Sequence, residues 1–537
     1  MSRRISSLLA LSLACAAASG CGPRNLAHSS KIPGPPAKIH RTYQEPPYVA
    51  SVDGVNHFTL SAMEADESIP IFNYAGFYVA PTIEVNPGDQ LQVQLQNDLA
   101  PRSAKMARGH FNETNLHFHG LTVSPDPPGD DSVDMLRPHQ STEYIVDIGA
   151  HQPPGLYWYH PHPHMESAWQ VGNGMSGALI VGGIQNDVPA VAGLRERLLI
   201  VRQAVSESDN DERAAAGHNY CGLKRMTPAQ RAAFLKRAGV ATPSSKQSAE
   251  VEDTALTMNG LPAGTMQIGI APGERQLFRV LNATGSRNLD LAIGNQQLEL
   301  VAEDGVPLAD FPGGPQVRKV RHIVIPPAGR AEFVVTGQAT PVVLRTSAYD
   351  TGPQGDKNPR AVLATLVNDG GGKPGDRRLP QRDAHRPKIS GVDFFRLGLS
   401  APSVERTVRL EEKADGTDFR INGASYQPGD KPMFVAKAGT VERWTLLNTT
   451  DEIHDFHVHQ VHFVVESVDG VPVPAAERHW SDELNVPYQR HHAGAGSPGK
   501  AVILVDFRDP VIRGTFLFHC HILDHEDGGM MAKIKVI

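Results

Sequence analysis

Residues 85–97 read Val85-Asn-Pro-Gly-Asp-Gln-Leu-Gln-Val-Gln-Leu-Gln-Asn97, a turn with glycine followed by alternating polar and apolar residues and a final asparagine. Alternation of this kind is typical of a strand with one buried face. The pattern returns at Ile270-Ala-Pro-Gly-Glu-Arg-Gln-Leu-Phe-Arg-Val-Leu-Asn282 and at Ala436-Lys-Ala-Gly-Thr-Val-Glu-Arg-Trp-Thr-Leu-Leu-Asn448. Turns before strands are common, but three copies that each end in Asn indicate a repeated β unit.

The second and third copies share further turns. Asp304-Gly-Val-Pro307 matches Asp469-Gly-Val-Pro472, and Asn259-Gly260 matches Asn422-Gly423. A chain of 537 residues is too long for one core. We therefore divide it into three regions, each long enough for a β-sandwich of short strands. Region 1, region 2 and region 3 are residues 48–187, 188–385 and 386–537.

Two segments interrupt this β pattern. Residues 227–238 predict a helix inserted in region 2, with Thr227 as N-cap and Pro228 in the first turn. Residues 368–390 are rich in Gly, Pro and Arg and predict a linker.

Composition narrows the class of protein. The 50 Gly and 42 Pro favour turns, and so a β-rich fold. The net charge of −7 and the lack of a long basic run argue against nucleic acid as a partner. Of the four cysteines, Cys15 and Cys21 lie in the leader, which leaves Cys221 and Cys520 and no disulfide framework. We interpret Cys221 as a bystander.

The N-terminus has the layout of an export signal. Arg3 and Arg4 precede an apolar stretch that is too short to span a bilayer. Ala18-Ser-Gly-Cys21 resembles a bacterial lipoprotein cleavage site, with Cys21 as the lipidated residue, and the arginine pair is the alternative sign of a twin-arginine signal. We expect an exported protein of the periplasm or cell envelope, anchored by lipid at Cys21 in the first case. The predicted signal peptide and tether are residues 1–21 and 22–47.

The chain has 24 histidines, and its five His-x-His pairs lie in only four segments. These segments are His117-Phe-His119, His160-Pro-His162-Pro-His164, His454-Asp-Phe-His457-Val-His459 and His519-Cys520-His521-Ile-Leu-Asp-His525. Residues i and i+2 of a strand point to the same side, and a following proline favours extended backbone, so each pair faces one cavity. Four converging pairs supply eight imidazoles, too many for one metal ion and suited to a cluster of several.

Cys520 points away from its two histidine neighbours and can bind a separate metal with His454 and His525. Cys, two His and a weak Met form the ligand set of a blue-copper electron-transfer site. An electron arriving at Cys520 could leave through either neighbouring peptide to a cluster histidine. A structural zinc site closes with four ligands and would leave most of these histidines unexplained.

The motifs HFHG, YWYHPH, HDFHVH and HCHILDHEDGGMM resemble those of the multicopper oxidases, which include laccases, bilirubin oxidases and bacterial cuprous oxidases. The resemblance covers nearly the whole chain after the leader. It implies an all-β fold of three cupredoxin-like Greek-key sandwich domains. It also implies four copper ions per chain (one type 1, one type 2 and two type 3) and dioxygen as electron acceptor.

By the same resemblance, each histidine segment supplies specific ligands. The type 2 ligands are His117 and His457. The type 3 ligands are His119, His160, His162, His459, His519 and His521. The type 1 ligands are His454, Cys520 and His525, with Met530 as the weak axial ligand. The trinuclear cluster would lie between regions 1 and 3. Region 2 should lack copper, because Leu289, Ala292 and Gly294 stand at its equivalent positions.

Two acids are candidates for proton delivery, again by resemblance. Glu526 follows His525 as a similar glutamate does in bacterial relatives, and Asp131 or its neighbour Asp130 lies where relatives carry an aspartate near type 2 copper. We assign the role to Glu526 and Asp131, with Asp130 as the alternative. The remaining histidines of interest are expected at the surface or behind the ligands: His139, His164, His462, His491 and His492.

Three functions compete. The first is oxidation of phenols or aromatic amines, the second is oxidation of Cu(I), Mn(II) or Fe(II) in envelope copper resistance, and the third is a metal-free structural protein. The ligand set argues against the third. The 12 Met are dispersed, which disfavours a dedicated Cu(I) oxidase. The loop of residues 478–500 offers Trp480, Tyr488, His491 and His492 to an aromatic donor near His525, so phenols or aromatic amines are preferred.

Overall fold

The structure is a computed structural model, and it describes residues 41–65, 69–76, 80–101, 112–203, 256–369, 376–381, 391–413, 418–492 and 495–537. The predicted signal peptide, Cys221, the predicted helix at residues 227–238 and most of the predicted tether and linker lie outside this part. So do the side chains of His491 and His492. None of the helices in the described part is long and apolar enough to cross a membrane.

The strands follow one another in chain order with few helices between them. Before region 1 comes β1 (Arg41–Thr42). Region 1 contains β2 (Tyr48–Ala50), β3 (Val55–Ala65), β4 (Ile69–Asn73), β5 (Thr82–Val85), β6 (Gln90–Asn97), β7 (His117–His119), β8 (Ser141–Asp147), β9 (Gly155–His160), α1 (Ser167–Gly172), β10 (Gly177–Val181) and α2 (Ile184–Asp187).

Region 2 contains β11 (Arg195–Gln203), β12 (Leu256–Met258), β13 (Leu261–Pro262), β14 (Met266–Gly269), β15 (Arg275–Asn282), β16 (Leu289–Ile293), β17 (Leu298–Glu303), β18 (Val306–Pro307), β19 (Arg318–Val320), β20 (Ile323–Ile325), β21 (Arg330–Thr336), β22 (Val342–Ser347) and β23 (Ala361–Val367). Region 3 contains β24 (Val404–Glu412), β25 (Phe419–Ile421), β26 (Phe434–Ala436), β27 (Thr440–Asn448), β28 (His454–Val458), β29 (Phe463–Val468), β30 (Val471–Pro472), β31 (Glu483–Val486), β32 (Arg490–His492), β33 (Ala495–Ser497), β34 (Gly499–Phe507), β35 (Gly514–Cys520), α3 (Leu523–Asp527) and β36 (Met531–Val536).

Each region is built on two sheets. Their strand orders are β4-β3-β6-β8 and β2-β5-β10-β9-β7 in region 1, β13-β12-β11-β15-β21-β17-β18 and β1-β14-β23-β22-β16-β20 in region 2, and β25-β24-β27-β34-β29-β30 and β26-β36-β35-β28-β31 in region 3. A separate buried apolar core belongs to each region. Strand β1, within the predicted tether, pairs with β14 of region 2. The exact region boundaries remain a prediction.

The three repeated segments occupy the same place in each region. Strands β6, β15 and β27 each pair in parallel with an earlier strand and antiparallel with a later strand of the same sheet. Their turns need glycine because Gly88, Gly273 and Gly439 adopt φ values of 94°, 77° and 86°, a conformation that side chains with a Cβ rarely adopt. The repeat read from the sequence is therefore a repeat in space.

The asparagine that closes each copy also has one structural task. Asn97, Asn282 and Asn448 are buried. In each, the Nδ2 group donates to at least two main-chain carbonyls further along the chain, and Oδ1 accepts the N–H two residues later. A buried amide that satisfies both its donor and its acceptor groups holds the chain where it leaves the sheet.

Residues 40–537 form one compact unit. Helix α3 of region 3 meets α1 of region 1, where the Asp527 carboxylate accepts the N–H groups of Ser167 and Ala168 at 3.1 and 2.9 Å. This contact lies directly after the last histidine segment and joins the two regions that carry histidine pairs.

Candidate metal centre

Two strand pairs position most of the clustered histidines. In region 1, β7 pairs with β9 so that His117 lies opposite His160. In region 3, β28 pairs with β35 so that His457 lies opposite His519. All eight histidines predicted for the cluster are buried: His117, His119, His160, His162, His457, His459, His519 and His521.

The eight rings meet between regions 1 and 3. The His117 ring stacks on that of His459 with centroids 3.8 Å apart, and the His119 ring stacks on that of His457 at 3.9 Å. Each stack joins one histidine of region 1 to one of region 3. His521 completes the group, with its ring centroid 5.1 Å from that of His119. The convergence expected from the strand periodicity is present.

The ring nitrogens of these histidines fall into close sets. Three such sets have nitrogens within 4.8 Å of one another: His117 with His457 and His459, His117 with His119 and His160, and His162 with His459 and His519. The His519 Nε2 atom lies 3.1 Å from the Nε2 atoms of both His162 and His459. Several metal ions could be shared among such sets, whereas a single ion could not use all eight rings.

The donor atoms fit metal ions for two further reasons. Several buried ring nitrogens have no hydrogen-bond partner within the described residues, among them His117 Nε2, His160 Nε2, His457 Nε2 and both nitrogens of His521. Burial lowers the pKa of His519 to about 3 and lowers the pKa of six further histidines well below the ordinary range: His119, His160, His162, His457, His459 and His521. Neutral imidazole is the form that binds a metal.

A second set of ligands lies on the other side of β35. The Cys520 Sγ atom is 3.6 Å from the Nδ1 atoms of both His454 and His525, and these two nitrogens are 2.9 Å apart. Met530 is buried in the same core, and its carbonyl accepts the Cys520 N–H at 3.0 Å. Cys520 therefore lies in the core of region 3 while the histidines on both sides of it face the cluster.

The structure separates the two candidate aspartates. The Asp130 carboxylate is buried, with Oδ2 2.9 Å from His117 Nδ1 and Oδ1 accepting the Phe118 N–H. The half-buried Asp131 carboxylate instead accepts the N–H groups of Val133 and Asp134 in its own turn. The contact with a cluster histidine is thus made by Asp130, the alternative to Asp131 in the prediction, because the shared turn directs the two adjacent side chains differently.

Glu526 lies against the cluster as expected. Its Oε1 atom is 3.5 Å from His162 Nε2, and its Oε2 atom is 3.3 Å from His519 Nδ1. The side chain is fully buried, and this burial, reinforced by the neighbouring Asp527, raises the pKa of the carboxyl well above its usual range.

Strand β31 brings acids that the sequence analysis missed. The Glu483 Oε1 atom lies 3.2 Å from both His119 Nε2 and His457 Nδ1, and the Asp482 carbonyl lies 2.8 Å from His457 Nδ1. Glu452 was missed as well, and its Oε1 atom is 3.2 Å from His525 Nε2. Only the pairing of β31 with β28 could have revealed Asp482 and Glu483, and no local motif marks that pairing.

The other residues singled out from sequence do not join the ligand sets. The His164 ring packs edge-on against Tyr426, and His462 contacts Asp304 and Asp482. His139 is exposed. Trp480, which the sequence offered to an aromatic donor, is buried against Phe395 and Val464 and lines a cleft with His462.

Comparisons with known proteins agree with this arrangement. Three sequence-family profiles, each described as multicopper oxidase, match residues 59–186, 230–387 and 400–537. The chain is 27% identical over 497 residues to the multicopper oxidase mco of Staphylococcus haemolyticus, covering 90% of this chain and 89% of that one. It is 24% identical to a laccase of Bacillus subtilis, covering 87% of this chain and 90% of that one.

Solved structures show the same fold. A multicopper oxidase from Campylobacter jejuni, described as a metallo-oxidase, superposes with a TM-score of 0.65 at 21% identity, covering 93% of this chain and 95% of that one. McoA from Aquifex aeolicus gives a TM-score of 0.65 at 19% identity, covering 93% and 99%. The expected all-β fold of cupredoxin-like sandwich domains is confirmed. The chain belongs to the multicopper oxidase family, copper-dependent oxidoreductases that use dioxygen as electron acceptor.

Proposed function

We propose that the chain couples one-electron oxidation of a small reductant at the Cys520 site to four-electron reduction of dioxygen to water at the histidine cluster. The proposal requires four copper ions per chain. One would be held by His454, Cys520, His525 and Met530. Three would be shared by the cluster, with His117 and His457 on the type 2 ion and the remaining six histidines on the type 3 pair.

One observation carries this proposal: the two ligand sets are joined by single peptide bonds. Cys520 packs in the core of region 3, and both of its neighbours, His519 and His521, reach the cluster. Copper, when bound, supplies one-electron transfer at Cys520 and dioxygen reduction at the cluster. The chain keeps these imidazoles buried and connects the two centres through covalent bonds.

Two buried acids are placed to handle protons. Glu526 holds a proton near His162 and His519, because burial favours its neutral form. Asp130 contacts His117 Nδ1 on the type 2 side of the cluster. We propose that these two carboxyls serve the formation of water, which consumes protons.

The second part of the proposal concerns the chemical class of the reductant. The sequence-based preference for aromatic donors rested partly on Trp480, which is almost fully buried and packs against Val306 and Val464. The Tyr488 hydroxyl donates to Asp350 at 2.9 Å. The outer nitrogen of His525 faces Glu452, and a carboxylate there attracts cations, with Fe(II) and Mn(II) better suited to oxygen ligands than Cu(I). We propose such a metal ion as the reductant, with phenols or aromatic amines as the competing class.

Glu452→Gln tests this choice, because it keeps the shape of the side chain and removes its charge. Specificity constants are measured on copper-loaded protein for Fe(II), Mn(II), Cu(I) and a panel of uncharged phenols. We expect the constant for Fe(II) to fall by about 10-fold or more and those for phenols by less than about 3-fold. Glu405→Gln, at an exposed acid, should change neither. Wild-type protein that prefers phenols over every metal ion would contradict the proposal.

The location remains a proposal from the sequence. We propose that the chain is exported to the periplasm or cell envelope, with Cys21 as a lipid anchor and twin-arginine export as the alternative. Expression of the full chain with labelled fatty acid, beside a Cys21→Ser variant, separates the two routes. Fatty-acid label that is present in the wild type and lost in Cys21→Ser supports the lipid anchor. A wild type without label favours twin-arginine export.

A further inference from the structure

One arginine of region 2 reaches the edge of the histidine cluster. Arg330 opens β21, and its side chain is fully buried. Its Nη1 and Nη2 groups donate to the two carboxylate oxygens of Asp482 at 2.7 and 2.6 Å. Such a two-pronged ion pair fixes the orientation of the carboxylate as well as its position.

Asp482 stands directly behind two cluster histidines. Its carbonyl lies 2.8 Å from His457 Nδ1, and its Oδ1 atom lies 3.6 Å from His119 Nε2. Ligand orientation at a metal is set by the partners of the nitrogens that face away from the ion. By holding Asp482, Arg330 therefore acts on one histidine from region 1 and one from region 3.

The same guanidinium also binds region 1 directly. Its Nε group donates to the Leu156 carbonyl at 3.2 Å, in the strand that ends at His160. Next to His119, Gly120 has φ +87°, and a Cβ added there would lie 2.6 Å from both Arg330 Nη2 and Asp482 Oδ2. A side chain at that position would displace the ion pair, so glycine is needed for this close approach.

Arg330 also compensates the negative charge of buried acids. Asp482, Glu483 and Asp304 lie together in a buried part of the interface, and Asp304 Oδ1 is 3.7 Å from Arg330 Nη1. Removing the cation from a buried ion pair leaves an uncompensated charge, which is far more costly than the loss of one contact. The acids behind the cluster therefore depend on a charge supplied by region 2.

We propose that Arg330 is a positioning residue through which region 2, itself predicted to lack copper, sets the geometry and copper occupancy of the cluster between regions 1 and 3. This inference rests on the proposed trinuclear cluster. The alternative is an ion pair that only stabilises the fold. The alternative predicts a loss of stability with an unchanged cluster, so the two are distinguished by the state of the cluster at equal stability.

The test compares Arg330→Met with Arg195→Met. Arg195 is also buried in region 2 and pairs with Glu274 and Asp376, and among the described residues none of its ion pairs involves a histidine. Copper per chain, the type 2 electron paramagnetic resonance spectrum and the blue absorption of the Cys520 site are measured on both variants, together with Tm. Arg330→Lys is the milder third variant, since lysine keeps the charge but cannot bridge both oxygens and Leu156.

We expect Arg330→Met to lose cluster copper or to change the type 2 spectrum while the blue absorption remains. Arg330→Lys should show a smaller change of the same kind, and it keeps the inference testable if the methionine variant does not fold. Arg195→Met should keep the wild-type spectrum at a comparable loss of Tm. An unaltered cluster in both Arg330 variants, or an equal change in Arg195→Met, overturns the inference. Wild-type protein without cluster copper overturns the proposed function itself.

Discussion

At the scale of the residue, the alternation of side chains along β35 decides what each position can do. His519 and His521 enter the cluster, and Cys520 between them enters the core beside Met530. A shift of one residue along the strand would exchange these environments, because neighbouring side chains leave a strand on opposite faces. The separation of the two proposed copper centres therefore follows from the order of three residues.

The two aspartates of one turn should differ sharply when mutated. Asp130→Asn should perturb the type 2 spectrum and slow reoxidation of the fully reduced enzyme by about 10-fold or more, because Asp130 contacts His117 Nδ1. Asp131→Asn should leave both close to wild type, since its carboxylate binds only its own turn among the described residues. Rapid mixing with dioxygen provides the measurement. The reverse order of effects would restore Asp131 as the acid of the cluster.

Glu526→Gln tests the second acid. The amide keeps the size of the side chain but cannot deliver a carboxyl proton to the space between His162 and His519. We expect reduction of dioxygen to slow by about 10-fold or more, while the absorption of the Cys520 site stays nearly unchanged. The reduced enzyme is mixed rapidly with dioxygen across a range of pH. Reoxidation at the wild-type rate throughout that range would exclude a proton role.

The sequence could predict the residues that metals bind but not all the residues that hold them. The shared direction of the two side chains in a His-x-His pair can be predicted locally, because residues i and i+2 of a strand point to the same side. Asp482, Glu483 and Arg330 act through pairing of β31 with β28 and through contacts between regions, which are not local. The sequence left the choice between Asp130 and Asp131 open for a related reason, since one turn decides which carboxylate contacts His117.

At the scale of the element, the strand that ends in asparagine is the recurring part of the fold. Asn282 allows the structural role of this asparagine to be tested away from the metal ligands, because the histidines of the ligand sets lie in regions 1 and 3. Asn282→Ala removes the buried amide that donates to the carbonyls of Arg287 and Ile325 and accepts the Thr284 N–H, and it should lower the free energy of unfolding by about 1–3 kcal/mol. Urea denaturation of copper-free protein measures this free energy of unfolding.

A substitution at an exposed position serves as the control for Asn282→Ala. The Gln338 side chain is exposed in the same region, and Gln338→Ala should change stability by less than about 0.5 kcal/mol. Equal effects of the two substitutions would show that the buried asparagine has no special role in closing the repeat.

The three repeat strands were predictable because turn, alternation and asparagine all lie within 13 residues of sequence. The partners of those strands were not, because parallel pairing joins segments far apart in the chain. Strand β1 shows the same limit. A segment with the composition of a tether forms an edge strand of region 2, since the open edge of β14 accepts it.

At the scale of the whole molecule, the cluster exists only where regions meet. Regions 1 and 3 supply the histidines, and region 2 supplies Arg330. The placement of the cluster between regions 1 and 3 was expected from the family resemblance. The contribution of region 2 was not expected from the sequence, because its segments were compared with the histidine segments only for metal ligands.

The proposed pair of copper centres is tested by measuring copper per chain on reconstituted wild type and Cys520→Ser. We expect four copper ions and intense blue absorption in the wild type. In the variant we expect three ions, no blue absorption and an intact type 2 spectrum, since serine removes the thiolate but leaves the cluster histidines in place. A variant that stays blue, or a wild type that binds no more than one or two copper ions when saturated, would contradict the proposed pair of centres.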